Sequence, residues 1–496
     1  MADTAFDIII IGAGLSGVNA AYRTQTELPA KTFCLLESRD QMGGTWDFWK
    51  YPGARTDSSM GVFGFQWFPW RKRNNLAPAH EIKQYIEEAA ASRGIDKRVR
   101  LRHRITSASW SSEEQRWSLD VDVTSEDGSV EKKVFKAWWL VCASGYYNYE
   151  KALPAVIPGI ESFSGEVVHP QWWGDDVVHD DKRIIIIGSG ATAITLLPTL
   201  AKTAKSVTML QRSPSYVFAL PGKVPVHWWD RVLPQAWSDW IRWWMNMLEE
   251  TAFTGILSQY PKFGRWFVRG EMRKFLPKGF DIDTHFNPSY NVFEQRLCFC
   301  PSADFFRALH KPHVEIVTDK IETVTKTGIQ LQSGRTLEAD MIITATGLWA
   351  QMLSGVNVFV DGERFDTTIG QRYFWNSTML DGLPNANAML GYVATSWTPG
   401  ADIRAKQMVK IIKHMDRTGA TTAKPVLDEA DRARFPKISA LALTSTYALQ
   451  AAERLPKSAY VGPWMSGKGW LSDAWNYLFG SITKGVEYTY GKNKSD

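Results

Sequence analysis

Asp7-Ile8-Ile9-Ile10-Ile11-Gly12-Ala13-Gly14-Leu15-Ser16-Gly17 stands near the start of the chain, and its reading decides the fold. Four consecutive isoleucines make a strand apolar on both faces, the pattern of a parallel strand covered by helices above and below. The glycines have separate tasks. Gly12 allows the tight turn out of the strand, Gly14 lets the backbone approach a pyrophosphate, and Gly17 lets the next helix pack closely on the sheet. The phrase returns as Arg183-Ile184-Ile185-Ile186-Ile187-Gly188-Ser189-Gly190-Ala191-Thr192-Ala193. After each loop a helix would offer unpaired N–H groups and its positive dipole end to an anion. Ser16 in the first loop and Ser189, Ala191 and Thr192 in the second complete two candidate cradles.

The flanks separate the two sites. Glu37 follows the apolar run Phe33-Cys34-Leu35-Leu36 and lies 20 residues past Gly17. A carboxylate there suits ribose hydroxyls and repels an extra phosphate, so the first site reads as one for the adenosine half of FAD. The equivalent strand after the second loop, Ser206-Val207-Thr208-Met209-Leu210, ends in Gln211-Arg212-Ser213 with no acid. Arg212 can pair with a 2′-phosphate, so the second site reads as one for NADPH. Two such sites facing each other are what an enzyme needs to pass a hydride from a nicotinamide to a flavin.

A chain of 496 residues, 44% hydrophobic and 22% charged, is globular and too long for one core. Its net charge of +5 comes from interspersed charges, which suits an anionic cofactor and does not argue for nucleic acid. Cys34, Cys142, Cys298 and Cys300 make no disulfide framework, and Cys298-x-Cys300 is neither a redox C-x-x-C nor half of a zinc site. No metal is expected. No signal peptide or membrane-spanning run is visible, so a cytoplasmic enzyme is the expectation. Twenty-three tryptophans, many between Trp46 and Trp70 or Trp228 and Trp244, suit a pocket for a flat apolar guest or a membrane-facing patch.

The expected fold is α/β, with two Rossmann-like dinucleotide-binding domains. Residues 1–155 form the first part of the FAD domain, with short meander strands at Ile105–Trp110, Trp117–Val123 and Lys132–Phe135. The run from Ala137 to Gly145 reads as a further buried strand ending in a small-residue turn, and Ala339 to Gly347 repeats that pattern. Residues 156–336 form the NADPH domain, interrupted at about 220–295 by a helical, aromatic and basic insertion. Residues 337–496 return to the FAD domain and include a tail of mixed pattern.

Two further stretches are more specific than the glycine loops. The segment from Gly43 to Asp57, GGTWDFWKYPGARTD, resembles the G-G-x-W-x4-[FY]-P-G-x3-D segment of type I Baeyer–Villiger monooxygenases. Phe163-Ser164-Gly165-Glu166-Val167-Val168-His169-Pro170-Gln171-Trp172-Trp173 resembles that family's F-x-G-x3-H-x3-W fingerprint and lies between the glycine loops, as it does there. Gly174 departs from the Pro or Asp that the family has next. The stretch from Asn287 to Cys298 is most similar to the short, membrane-associated branch, which includes an ethionamide-activating monooxygenase.

The resemblance implies a cycle. NADPH reduces FAD, oxygen adds at flavin C4a, and the peroxyflavin inserts an oxygen beside a hydrophobic ketone's carbonyl or oxidises a sulfide. The cofactor supplies the bond-making; the protein supplies position, charge and dryness. An anionic oxygen donor needs a fixed cation, and an arginine, which does not deprotonate, is suited to that place. Asp57 matches the family acid that would orient it. Arg296 is the first choice for the cation, and Lys311, in His310-Lys311-Pro312-His313, is the alternative. Arg55 is a third cation that would reach toward NADP. Gly44, Thr45, Trp46, Asp47 and Ile105 join the expected FAD contacts, with Trp46 and Asp47 near the flavin ring. His169 belongs to the connection between domains, where a structural or hinge role is at least as good a reading as proton transfer.

The insertion from Val226 to Pro277 mixes aromatics with Arg231, Arg242, Lys262, Arg265, Arg269 and Lys274. It reads either as a lid whose aromatic face lines the substrate cavity, the favoured expectation, or as a surface in peripheral contact with a membrane. Among competing functions, a monooxygenase restricted to nitrogen and sulfur shares the glycine loops. A flavin disulfide reductase would need a C-x-x-C pair, which the chain lacks.

Overall fold

The computed structural model describes residues 4–441, 443–466 and 469–490. The isoleucine run forms β1 (Ala5–Ile11), and Ile8, Ile9 and Ile10 are wholly buried. Helix α1 (Leu15–Glu27) carries the chain over to β2 (Phe33–Leu36), which pairs parallel with β1. The meander follows as β3 (His103–Ser111), β4 (Arg116–Thr124) and β5 (Val130–Cys142).

One sequence expectation changes here. The third meander strand and the buried strand after it are a single 13-residue strand, β5. Its first half is mostly exposed and pairs antiparallel with β4; its second half is buried and pairs parallel with β1, Ile9 opposite Leu140. The change of partner changes the composition from charged to apolar, and that change reads as a break.

The second sheet contains β6 (Glu166–Val168), β7 (Arg183–Ile187), β8 (Ser206–Gln211), β9 (Val314–Thr318) and β10 (Met341–Thr344), all parallel, in the order β9-β8-β7-β10-β6. Helix α2 (Ala191–Leu200) follows β7. The parallel part of each sheet is buried on both faces between apolar clusters, as a covered parallel sheet must be. The chain therefore has an α/β fold with two Rossmann-like units. The second unit runs further than 336: β10 pairs with β7 and β6, so the chain leaves this sheet only after Thr344. Two connectors, Tyr147–Ala152 and Leu348–Ala350, then run antiparallel between the units.

The insertion leaves the second unit beside a parallel pair that joins Val217–Leu220 to Cys298–Pro301. Its main helices are α3 (Gln235–Gln259) and α4 (Pro261–Phe275), and α5 (Asp304–Ala308) follows. The first unit is completed by β11 (Ala386–Ala388) beside β5 and by α6 (Trp397–Thr418) packed on α1. The tail adds α7 (Thr446–Ala451) and α8 (Trp470–Phe479).

The aromatic face of the insertion does not line the main cavity, against the lid expectation. Trp237, Trp240 and Leu248 of α3 are exposed, as are Leu471, Trp475, Leu478 and Phe479 of α8. The two helices meet where Trp470 packs on Trp244, ring centroids 5.5 Å apart. No helix among the described residues is long and apolar enough to cross a membrane.

Candidate active site

The first loop is a cradle that side chains would fill. Gly12 has φ +100°, and a Cβ there would meet the Ala143 carbonyl oxygen at 3.0 Å. A Cβ on Gly17 would lie 1.9 Å from the Gly12 carbonyl oxygen, so the helix approaches the strand as closely as backbone permits. No side chain caps α1, whose first N–H groups stay open to an anion. Glu37 follows β2 directly and is buried. Its carboxylate accepts the Ala13 N–H at 2.8 Å and the Arg39 N–H at 3.0 Å. Burial raises its pKa, and those bonds oppose the rise.

Gly43 and Gly44 both have positive φ, and the Gly44 backbone faces Gly14. The segment then crosses to the other unit. Gly53, at φ +79°, sits so close to α2 that a Cβ would meet Thr199 Oγ1 at 2.3 Å. The buried Tyr51 hydroxyl bonds Thr192 of the second glycine loop, and burial pushes its pKa up to about 12. The fingerprint segment thus bridges the two nucleotide loops.

A single cavity of 620 Å³ runs along this bridge. Gly12, Gly14, Ser16, Glu37, Gly44, Thr45, Trp46, Arg55, Asp57 and Ile105 line it from the first unit, and Ala191, Thr192 and Arg296 from the second. Gly17 lies beneath as packing. Asp47 is not in the lining. Its buried carboxylate turns to Arg39 and to Lys83 at 2.9 Å, which outweigh burial and lower its pKa, so it fixes the loop from behind. Arg55 is committed to Asp304 at the start of α5.

Arg296 and Asp57 meet inside the cavity, from positions 239 residues apart. Arg296 donates through Nε and Nη2 to both Asp57 oxygens, through Nη2 to Ser58 Oγ at 3.2 Å, and through Nη1 to the Val393 carbonyl. Burial alone would lower the guanidinium pKa; Asp57 outweighs it, and the net shift is upward. The group is a permanent, oriented cation.

Lys311 is elsewhere. Its ammonium donates to the Ala201 carbonyl at 2.6 Å, and Ala201 is the C-cap of α2. It precedes β9, at the edge opposite the strand ends where ligands bind in such sheets. Capping a helix C-terminus satisfies a carbonyl and complements the dipole, so Lys311 leaves the set of cavity cations.

At the second loop, Gly188 packs on Ala345, Ser189 Oγ donates to the Ser213 carbonyl at 3.0 Å, and a Cβ on Gly190 would meet nothing within 4 Å. That open side of Gly190 leaves room for a phosphate. Gln211 does not face it. Its buried amide donates to the His285 carbonyl at 2.9 Å and to Thr318 Oγ1 at 2.8 Å, holding β8 to β9. Arg212 next to it is exposed. His169 accepts the Gln171 N–H at Nδ1, and burial lowers its pKa. The Gln171 amide donates to the Asn148 carbonyl at 2.9 Å, tying this fingerprint to the connector. Burial pushes the Cys142, Cys298 and Cys300 thiols up to about 12, which disfavours their thiolates.

Sequence reading missed several cavity residues. Tyr146 and Tyr147 follow the turn after β5, and that strand-end turn was the available signal. Trp397, whose Nε1 donates to Ser16 Oγ at 2.8 Å, and Tyr392 come from the returning chain and had none.

This cradle, with its two glycine loops and central cation, defines a class. The chain belongs to the flavin-binding monooxygenase-like family, whose model matches residues 5–256. It is 39% identical over 469 residues to the FAD-containing monooxygenase EthA of Mycobacterium tuberculosis, covering 94% of each chain. Among solved structures it shares the fold of an oxidised steroid monooxygenase bound to NADP (TM-score 0.76, 20% identity, 98% and 100% covered). It also shares that of cyclohexanone monooxygenase in its ε-caprolactone-bound form (TM-score 0.73, 19% identity, 98% and 100% covered).

Proposed function

We propose that this chain is an FAD- and NADPH-dependent monooxygenase that inserts one oxygen atom beside a ketone carbonyl, forming an ester or lactone, and oxidises sulfides at the same site. The FAD-containing relative and the NADP-bound fold neighbour support the coarser reading, a flavin- and NADP-dependent monooxygenase. One observation carries the finer one: a half-buried arginine, held by Asp57, in a cavity that reaches both glycine loops.

FAD, when bound and reduced by NADPH, supplies the activated oxygen; the residues supply the rest. Gly12, Gly14 and the open end of α1 hold a pyrophosphate, and Glu37 takes ribose hydroxyls. Gly190 and the uncapped start of α2 hold the second pyrophosphate, and Arg212 meets the 2′-phosphate. Arg296 sets a positive potential where negative charge develops on oxygen, and its Asp57 clamp removes the cost of orienting it during reaction.

The test is a panel of ketones and sulfides with the purified yellow protein, NADPH and oxygen, read by mass spectrometry. Ester or lactone formation with matching NADPH consumption is expected. Sulfoxide formation with no ester from any ketone would leave the heteroatom-only monooxygenase in its place.

The exposed aromatic stripes of α3 and α8 support peripheral contact with an anionic lipid surface. Tryptophan suits the water–lipid boundary, and the exposed face of α4 sets Lys262, Arg273 and Lys274 among Phe263 and Trp266.

A further inference from the structure

Tyr146 and Tyr147 form a hydroxyl pair in the cavity that the reading above leaves without a task. Gly145, at φ +76°, turns the chain after β5 so that both phenols reach the same space as Arg296. The Tyr146 ring is buried and stacks on Trp397, centroids 5.4 Å apart and planes 14° apart, and its hydroxyl bonds that of Tyr147. Tyr447, from α7 in the tail, hydrogen-bonds the Tyr146 hydroxyl in turn. Burial keeps all three phenols protonated; the Arg296 cation pulls the other way and is outweighed.

A bond count shows what the pair can do. The three phenols are joined by two hydrogen bonds, which leaves one proton over, and the Tyr147 end of the row is the one that lines the cavity. Among the described residues neither of the two hydroxyls donates to a carboxylate, and each Asp57 oxygen already accepts from Arg296. Arg296 in turn has committed four bonds to Asp57, Ser58 and Val393, which leaves it little to offer a neutral carbonyl. A donor facing the cavity without a partner gains most from a substrate that brings an oxygen acceptor, and penalises one that does not.

We propose that the Tyr146–Tyr147 hydroxyl pair donates its spare proton in a hydrogen bond to the substrate's carbonyl oxygen, seating ketones beside Arg296 and favouring them over thioethers of the same shape. Both tyrosines are catalytic residues in this assignment, which rests on the ketone reading above.

The test compares a ketone with the thioether of the same carbon skeleton on FAD-loaded, NADP-bound protein. Dissociation constants come from equilibrium dialysis, and kcat and KM from turnover. In the Tyr146→Phe/Tyr147→Phe variant, ketone binding is expected to weaken about tenfold, thioether binding to change less than twofold, and flavin reduction by NADPH to keep its rate. Equal weakening of both ligands, or unchanged ketone binding, overturns the proposal. If the double variant loses its flavin, the single Tyr147→Phe change is read by the same ratio. Should the wild type bind ketones through these hydroxyls yet form no ester, the insertion reading fails and the donor assignment stands. Ester formation with tyrosine-independent binding sinks the assignment alone.

Discussion

Arg296 and Lys311 show how position divides two similar charges. The guanidinium is paired with Asp57 in the cavity, while the ammonium caps α2 at the sheet's other edge. Removing the first should disable oxygen transfer without touching hydride transfer. We expect Arg296→Ala to keep NADPH-driven flavin reduction within severalfold of wild type, and to release most of the consumed oxygen as hydrogen peroxide, read by stopped flow and peroxide assay. Retained ester yield would remove Arg296 from its proposed role. Lys311→Ala should leave coupling unchanged and lower stability by about 0.5 kcal/mol, the scale of a charge at a helix end; a denaturant titration reads this.

Among the elements, α1 and α6 carry the most consequence. Gly17 lets α1 rest on β1, and a Cβ there would meet a carbonyl oxygen at 1.9 Å. Gly17→Ala should therefore push α1 off the pyrophosphate, giving purified protein with little bound flavin, seen as loss of the yellow absorbance; full flavin content would contradict the cradle. Helix α6 begins at Ser396, whose N–H and hydroxyl donate to Glu250 of α3 at 2.7 and 2.6 Å. The insertion thereby caps a helix of the first unit beside Val393, which holds Arg296. Burial raises the Glu250 pKa, opposed by Ser396 and Arg296. With the folded pKa above the unfolded one, the unfolded state ionises first, so this group's contribution falls as pH rises from about 4.5 through the folded value. Glu250→Gln does not titrate. The melting temperature of the variant minus that of wild type should therefore grow more positive across that window, and a flat difference would show that Glu250 is not perturbed.

For the whole molecule, the stripes of α3 and α8 meet at Trp244 and Trp470 and leave Trp237, Trp240, Leu471, Trp475, Leu478 and Phe479 exposed, the kind of apolar surface that marks a contact site. Co-sedimentation with vesicles rich in anionic lipid should capture the protein, more weakly in high salt. A Trp237→Ser/Trp475→Ser variant should sediment several times less while keeping its turnover of a soluble sulfide. Equal sedimentation of variant and wild type would assign these faces to another partner.

Much of the fold was legible because parallel strands, glycine turns and ribose acids leave local marks. Ile8–Gly17, Ile184–Ala193 and Glu37 state their environment within a few residues, and so predict two nucleotide-type units. The unity of β5 and the membership of β10 in the second sheet were not legible, since a strand's partner is not written in its own composition. The same holds for the site. Asp57 and Arg296 were visible as residue types, but their pairing, the removal of Asp47, Gln211 and Lys311 from the cavity, and the entry of Tyr146, Tyr147 and Trp397 depended on which way side chains point once distant segments pack. Local chemistry determined the cradles; only the tertiary arrangement, through burial and long-range contact, decided which charges face the cavity.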